Sequence, residues 1–466
     1  MTTNYVDKDV QAFVTKIDQL SQPLNPQLGT VFQKTFLNTL TTTISDDAQG
    51  YAFILTGDIP AMWQRDSTAQ VRPYLALAHE QPRIAQLITR VVQRQFFNMA
   101  IDPYANAFNE TANSHGHQSD QTEMGPWIWE RKFKIDSLCY PVQLAYLLYK
   151  NTGATAQFDA NFVTGVKKLL TTFEVEQHHA TSPYRFIRTQ DHPEDSLPGD
   201  GHGSPVGDTG MIWSDFRPSD DACGYGYLVP ANLFAVVILG YLQTIFSSVL
   251  DDPNIVARAQ RLQATVNAGI ETYGYTLNAN GEKVYAYEVD GLGHATLMDD
   301  GNVPSLLSAP YLGYCDLLDV NYQRTRQTLL SPENPYYYSG PRGAGQGSPH
   351  TPKNYIWPIA IAMEGLTTSS CEQQLAALQT LITTTGGTDL MHESFDVNDD
   401  QNFTRACFSW ASMMYCELLL TTLGFKIERK LNHYDQEKSF HYFTQPLGSG
   451  MVHAVRTTPH ATSYFD

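Results

Sequence analysis

The chain has 466 residues, 42% hydrophobic and 12% aromatic, which suits a large packed core and argues against bulk disorder. Its formal net charge of −18 offers neither phosphate attraction nor counterion release, which argues against nucleic acid or anionic membrane as a partner. A neutral ligand fits this balance. Six scattered cysteines without a C-x-x-C pair suit a reducing, cytoplasmic compartment, and the opening MTTNYVDKDVQAF lacks a signal-peptide layout.

Helical periodicity dominates from the start. Apolar spacing of three and four predicts helices over 8–21, 30–44 and 68–80. Ile84, Leu87, Ile88, Val91, Val92, Phe96 and Met99 predict the next, with Pro82 in its first turn. Similar patterns over 136–150, 157–177, 229–249, 254–273, 303–319, 322–331, 354–366, 371–385 and 404–422 bring the total to about thirteen helices with few convincing strands. Tyr227 to Leu250 approaches the length of a membrane span. Pro230, Asn232, Gln243, Ser247 and the lack of basic flanks favour a buried helix of a soluble protein instead.

Short connections alternate with about six long ones, at 45–66, 101–135, 180–228, 275–302, 332–353 and 386–403. Long loops inside a compact domain are uncommon unless they carry function, and these hold nearly all the Trp, His and paired acids. Helical hairpins joined in this way suggest an all-α toroid with the long loops gathered on one rim. Residues 1–466 read as a single domain, with 424–466 a short extended addition outside the ring. The oligomeric state is not legible, and a monomer is compatible with the sequence.

Candidate chemistry concentrates on those loops. In residues 56–75, TGDIPAMWQRDSTAQVRPYL, Asp58, Trp63, Arg65 and Asp66 lie within one turn and one helix start. A tryptophan beside an arginine suits a pyranose, which offers an apolar face for stacking and hydroxyls for charge-assisted hydrogen bonds. The alternative is a buried Arg–Asp pair pinning the helix, with Trp63 as core filler. The second loop crowds Asn109, Glu110, His115, His117, Asp120 and Glu123. His115-x-His117 with Asp120 resembles a metal site, but no matching ligand set stands elsewhere. On the fourth loop His294, Asp299, Asp300 and Asn302 read as hydroxyl ligands, and EF-hand spacing is absent. The glycine-rich Gly340 to Gly347 lacks the Gly-Lys-Ser/Thr ending of a phosphate loop; it lets backbone approach a ligand, with His350 nearby. His392-Glu393 fails as a zinc motif because the fourth position is Asp396. No G-x-S-x-G elbow is present. No metal and no cofactor are therefore expected.

Residues 56–75, GMIWSDFRPSDDA (210–222) and LMHESF (390–395) resemble the glycoside hydrolases of family 125, exo-acting α-1,6-mannosidases, and the resemblance runs in order from about residue 30 to about 425. It implies an (α/α)6 barrel, which the loop alternation suggests independently, and an inverting hydrolase that releases terminal mannose from a mannose-containing oligosaccharide. Inversion needs two carboxyls about 6.5–9.5 Å apart on opposite sides of the scissile bond. Candidates therefore come from different loops, and Asp220 (or Asp221) and Glu393 meet that requirement. The family's acid maps onto the aspartate pair, with Asp220 the better motif match. Crowding by Trp213, Phe216, Tyr225 and the adjacent carboxyl is expected to keep it protonated, leaving Asp221 as its partner or a substrate contact. Glu393 becomes the general base, held ionised by His392 or Arg405. The resemblance implies a terminal sugar pocket of Trp63, Arg65, Asp66, Asp120 and Asp299, with Asp58, Glu123, Trp213, Asp221, His294 and Asn302 as further contacts. The alternatives are a sugar isomerase or epimerase moving protons through His115, His294 and His350, and a non-catalytic sugar-binding protein.

Overall fold

A computed structural model describes residues 5–190 and 192–427. Its main helices are α1 (Lys8–Ser21), α2 (Pro26–Asn38), α3 (Gln64–Val71), α4 (Pro82–Ile101), α5 (Ile135–Thr152), α6 (Ala160–Glu176), α7 (Val229–Ser248), α8 (Pro253–Tyr273), α9 (Ala309–Leu312), α10 (Val320–Leu329), α11 (Pro358–Leu366), α12 (Cys371–Thr383) and α13 (Ser409–Thr422). From α2 onward they alternate between two kinds. The even-numbered helices bury one stripe and expose the other face, as an outer layer must. The odd-numbered ones are buried almost all round; every residue of α3 and every residue from Ile135 to Leu148 of α5 is buried.

The odd helices form the inner layer. α3 packs on α5, α5 on α7 and α7 on α9, while α11 packs on α13, which returns to α3. The even helices back this layer, with α4 against α6, α6 against α8 and α12 against α2. This is the (α/α)6 barrel. A buried ion pair lies inside the ring. Arg72 Nε sits 3.3 Å from Glu417 Oε1, and its Nη1 donates to Gln143 at 2.8 Å. The Tyr311 hydroxyl donates to Glu417 at 2.8 Å, so one charged pair ties the end of α3 to α5, α9 and α13. Helix α7 is long and apolar enough to cross a membrane, but it lies in this inner ring with 83% of its most apolar window buried.

Three departures from the periodicity have physical causes. The expected helix over 303–319 shrinks to α9, because Pro310 starts it and Gly313, at φ 100°, ends it one turn later. The helix expected over 68–80 begins four residues earlier at Gln64 and breaks into a 3-10 turn at Arg72–Tyr74 around Pro73. The helix expected over 30–44 starts at Pro26, capped by the Asn25 side chain, and widens into a π turn at Thr39–Thr43.

The long loops are also less bare than expected. Met62–Trp63, Ala107–Phe108 and Ile128–Glu130 pair as one antiparallel sheet. Tyr227–Leu228, Glu288–Val289 and Ala295–Thr296 form a second, and Tyr355–Ile356, Ser394–Asp396 and Asp399–Thr404 a third. Strands this short carry too little alternation to be read in sequence. Each sheet stitches separate loops together just before an inner helix begins, which fixes where that helix start points. The extended addition expected over 424–466 falls, from residue 428 on, outside the described residues.

Gly301 shows how closely these loops approach the ring. Its φ is +77°, and a Cβ there would lie 3.1 Å from Trp357 Cδ1 and 3.2 Å from the Ala360 Cβ. Gly301→Ala is expected to lower unfolding free energy by about 1–3 kcal/mol. Urea denaturation checks this, and an unchanged midpoint contradicts the strained position.

Candidate active site

The chain reaches the rim cleft at the starts of inner helices. Arg65 and Asp66 open α3, Trp357 precedes α11, and Phe408 precedes α13; all four line one cleft with Asp220, Asn302, His350 and Glu393. The space measures about 410 Å³ counting the solvent at its open mouth. Trp63, Trp357 and Phe408 supply its aromatic surface.

Asp220 sits in a tight turn. Arg217 N donates to Asp221 O at 2.8 Å, Asp220 N donates to Arg217 O at 3.0 Å, and Phe216 bridges Ala222. Within it Asp220 takes φ +80°, a left-handed conformation that costs a non-glycine residue about 1–3 kcal/mol unless its surroundings enforce it. Three buried cations do so. Arg65 Nη1 donates to Pro218 O at 2.5 Å, Lys132 Nζ donates to Asp220 O at 3.0 Å, and Lys134 Nζ pairs with the Asp220 carboxylate. Arg217 anchors the turn from outside through Glu288 at 2.5 Å, and Glu288 also accepts from Gly224 N and Tyr225 N.

The cations are themselves compensated. Arg65 pairs with Asp66 at 3.0 Å, lies 3.7 Å from Asp136, and stacks 4.3 Å over the Trp410 ring. Lys132 pairs with Asp195 at 2.7 Å. Burial opposes ionisation of Glu130, yet Lys132, Arg188 and Lys134 hold its carboxyl well below the ordinary range.

Glu393 lines the same cleft from the loop ahead of α13. Its backbone N donates to Thr404 O at 3.2 Å, and its carboxylate lies 3.6 Å from Arg405 Nη1. Arg405 also pairs with Asp58 and lies over the Phe408 ring at 5.0 Å, so it bridges the first and last rim loops. The other expected partner of Glu393 is turned away: His392 is buried, stacks on Phe403 at 3.6 Å, and holds Thr385 O through Nε2 at 2.9 Å.

The structure brings together Trp63, Arg65, Asp66, Asp220, Asn302 and Glu393 on the cleft wall, with Asp58 behind Arg405 and Asp221 behind His350. Asn302 is 2% exposed and its Nδ2 has no hydrogen-bond partner among the described residues, so a donor remains free at the cleft. Five other expected contacts do not line it. Asp120 is buried against Arg188 at 2.7 Å, which occupies its carboxylate. Glu123 faces solvent beside Arg131, and His294 lies at the surface holding Asp290 at 2.6 Å. Trp213 is 1% exposed and stacks on His179 at 3.4 Å. Asp299 is fully buried, accepting from Asp300 N and Leu307 N; burial and then the Asp300 charge raise its pKa well above the ordinary carboxyl value. The aromatic crowding expected around Asp220 is likewise replaced by the Lys134 ammonium, because Trp213 faces His179 and Tyr225 stacks toward His294.

His350, expected beside the glycine-rich loop or as a proton carrier in the isomerase alternative, and Arg405, expected beside Glu393, also line the cleft, whereas Lys134 and Trp357 belong to no motif that singles them out. His350 Nδ1 lies 2.9 Å from Asp221 Oδ1. Burial works against its protonation, but the hydrogen bond and charge of Asp221 prevail and raise its pKa. Among the described residues no three His, Cys, Asp or Glu side chains converge as a metal-ligand set.

A sequence profile described as metal-independent α-mannosidase (GH125) matches residues 25–420. The meiotically up-regulated gene 157 protein of Schizosaccharomyces pombe is 36% identical over 433 residues, 87% of this chain and 84% of its own length. A Streptococcus pneumoniae protein of a family of metal-independent α-mannosidases, solved in a non-productive complex with α-1,6-mannobiose, is 50% identical. It superposes with a TM-score of 0.90 over 91% of this chain and 100% of its own. A bacterial glucoamylase bound to acarbose shares the fold alone, at 13% identity and TM-score 0.54, covering 85% of this chain and 56% of its own.

The His350–Asp221 pair makes a direct prediction. Removing the Asp221 charge removes the influence that raises the His350 pKa, so Asp221→Asn lowers it and leaves less imidazolium at neutral pH. Titration of the His350 ring protons by NMR checks the direction; an unmoved or higher pKa contradicts the pairing.

Proposed function

Because this chain belongs to glycoside hydrolase family 125, the metal-independent α-mannosidases, we propose that it is an inverting, exo-acting α-1,6-mannosidase working by single displacement. The observation that carries this reading is the meeting of Asp220 and Glu393 on one small cleft, from loops far apart in sequence. Asp220 serves as general acid toward the leaving oxygen. Glu393 serves as general base toward a water on the opposite face of the sugar.

The surroundings support these roles. Arg405 Nη1 lies 3.6 Å from the Glu393 carboxylate and ties it to the rim of the cleft. The small cleft between Trp63, Trp357 and Phe408 suits one terminal sugar rather than the interior of a chain. Arg65, Asp66, Asn302 and His350 are placed to hold its hydroxyls. The α-1,6-mannobiose bound by the Streptococcus pneumoniae relative supports that linkage for the substrate. The cysteines are all free thiols, in keeping with a cytoplasmic setting for work on mannose-containing oligosaccharides.

Incubation with α-1,6-mannobiose, followed by NMR of the first mannose released, tests the mechanism: the β-anomer is expected, and initial α-mannose overturns single displacement. Asp220→Asn is expected to lose roughly 10²–10⁴ in rate on that substrate, whose leaving group is poor. Wild-type turnover by this variant removes Asp220 from the acid role.

A further inference from the structure

A general acid must carry a proton near neutral pH, yet the Asp220 carboxylate is paired with an ammonium, which favours the ionised form. A permanently charged neighbour would weaken Asp220 as an acid. This contradiction disappears if the neighbour can give its proton up. Resting on the reading of Asp220 as the acid, we propose that Lys134 is a positioning residue that stores the proton Asp220 delivers to the leaving oxygen.

The setting of Lys134 fits this task. It immediately precedes α5, its side chain is 1% exposed, and its Nζ has no hydrogen-bond acceptor among the described residues besides the Asp220 carboxylate. The charged groups around it are Arg65 from α3, Glu130 and Lys132 from the preceding strand and segment, Asp136 from α5, and Asp215 and Asp220 from the loop ahead of α7. Most have other partners: Glu130 holds Arg188, Lys132 holds Asp195, and Arg65 holds Asp66. Burial first, and then the Arg65 charge, push the Lys134 ammonium down to about 7. Lysine can release a proton under these conditions, whereas arginine cannot.

As the C1–O bond breaks, its electron pair goes to the leaving oxygen, which takes a proton from Asp220. Asp220 takes one from Lys134 Nζ, so the aspartate is a carboxylate before and after while Lys134 passes from ammonium to amine. The attacking water gives its proton to Glu393. Lys134 then regains a proton from solvent, and Glu393 returns one. Below about pH 7 the store is full; above it the store empties, so the sign of the dependence is a loss of acid-assisted turnover on the alkaline side.

The test compares kcat/KM on α-1,6-mannobiose with that on 2,4-dinitrophenyl α-mannoside, whose leaving group needs no proton. In the wild-type enzyme, mannobiose activity is expected to fall as pH rises through about 7, with no matching fall for the aryl mannoside. Lys134→Met and Lys134→Arg are both expected to lower the mannobiose-to-aryl ratio by roughly 100-fold. The aryl mannoside also reports whether each variant keeps a folded site, and the wild-type profile needs no variant. An alkaline limb shared by both substrates overturns the proposal. So does a wild-type ratio in Lys134→Arg, which would mean that a fixed positive charge suffices. Asp220→Asn is assayed alongside; if it keeps its mannobiose activity, the assignment of the acid fails rather than the storage of its proton.

Discussion

Three buried cations gripping one strained turn are the constraint on which this site depends. Arg65 and Lys132 hold the Pro218 and Asp220 carbonyls, and Lys134 holds the Asp220 carboxylate. None could stay charged in the interior alone, since a buried unpaired ion costs several kcal/mol or more. Asp66, Asp195, Asp136 and Glu130 therefore accompany them. The polar shell is wide because the turn it restrains carries a left-handed aspartate. Strain at one backbone position is balanced by an electrostatic network drawn from α3, the segment before α5 and the loop beyond it.

The helical ring was largely legible because its signal is periodic and long. Where the expectation failed, local chemistry outweighed apolar spacing: Pro310 and Gly313 cut α9 to one turn although hydrophobic residues continue on either side. The short rim strands were invisible because their pairing is set by loops distant in sequence. Tyr355–Ile356, for example, meets Ser394–Asp396 through contacts that no local pattern announces.

The site was legible where a motif ran into a helix start. Trp63, Arg65 and Asp66 reached the cleft because the order of the strand and α3 dictates their direction. Acids on open loops were not legible in the same way. Asp120 and Glu123 lie three residues apart, yet one is sealed against Arg188 and the other faces solvent; the distant arginine decides. Trp213 went to His179 for a similar reason. Lys134 had at most a faint signal: it stands directly ahead of a helix rich in apolar residues, and a lysine buried there needs a carboxylate in place of water.

The seam of the ring has a consequence for how the protein comes into being. Helix α13, the last of the ring, packs on α2 and α3 near the beginning of the chain, and Glu393, Arg405 and Phe408 lie just ahead of it. During synthesis, Trp63 and Asp220 emerge from the ribosome long before the residues that face them. The cleft is therefore complete only once α13 has been made and packs on α2 and α3. A chain stopped short of it lacks the helix that packs on α2 and α3 and carries Glu417, the buried partner of Arg72.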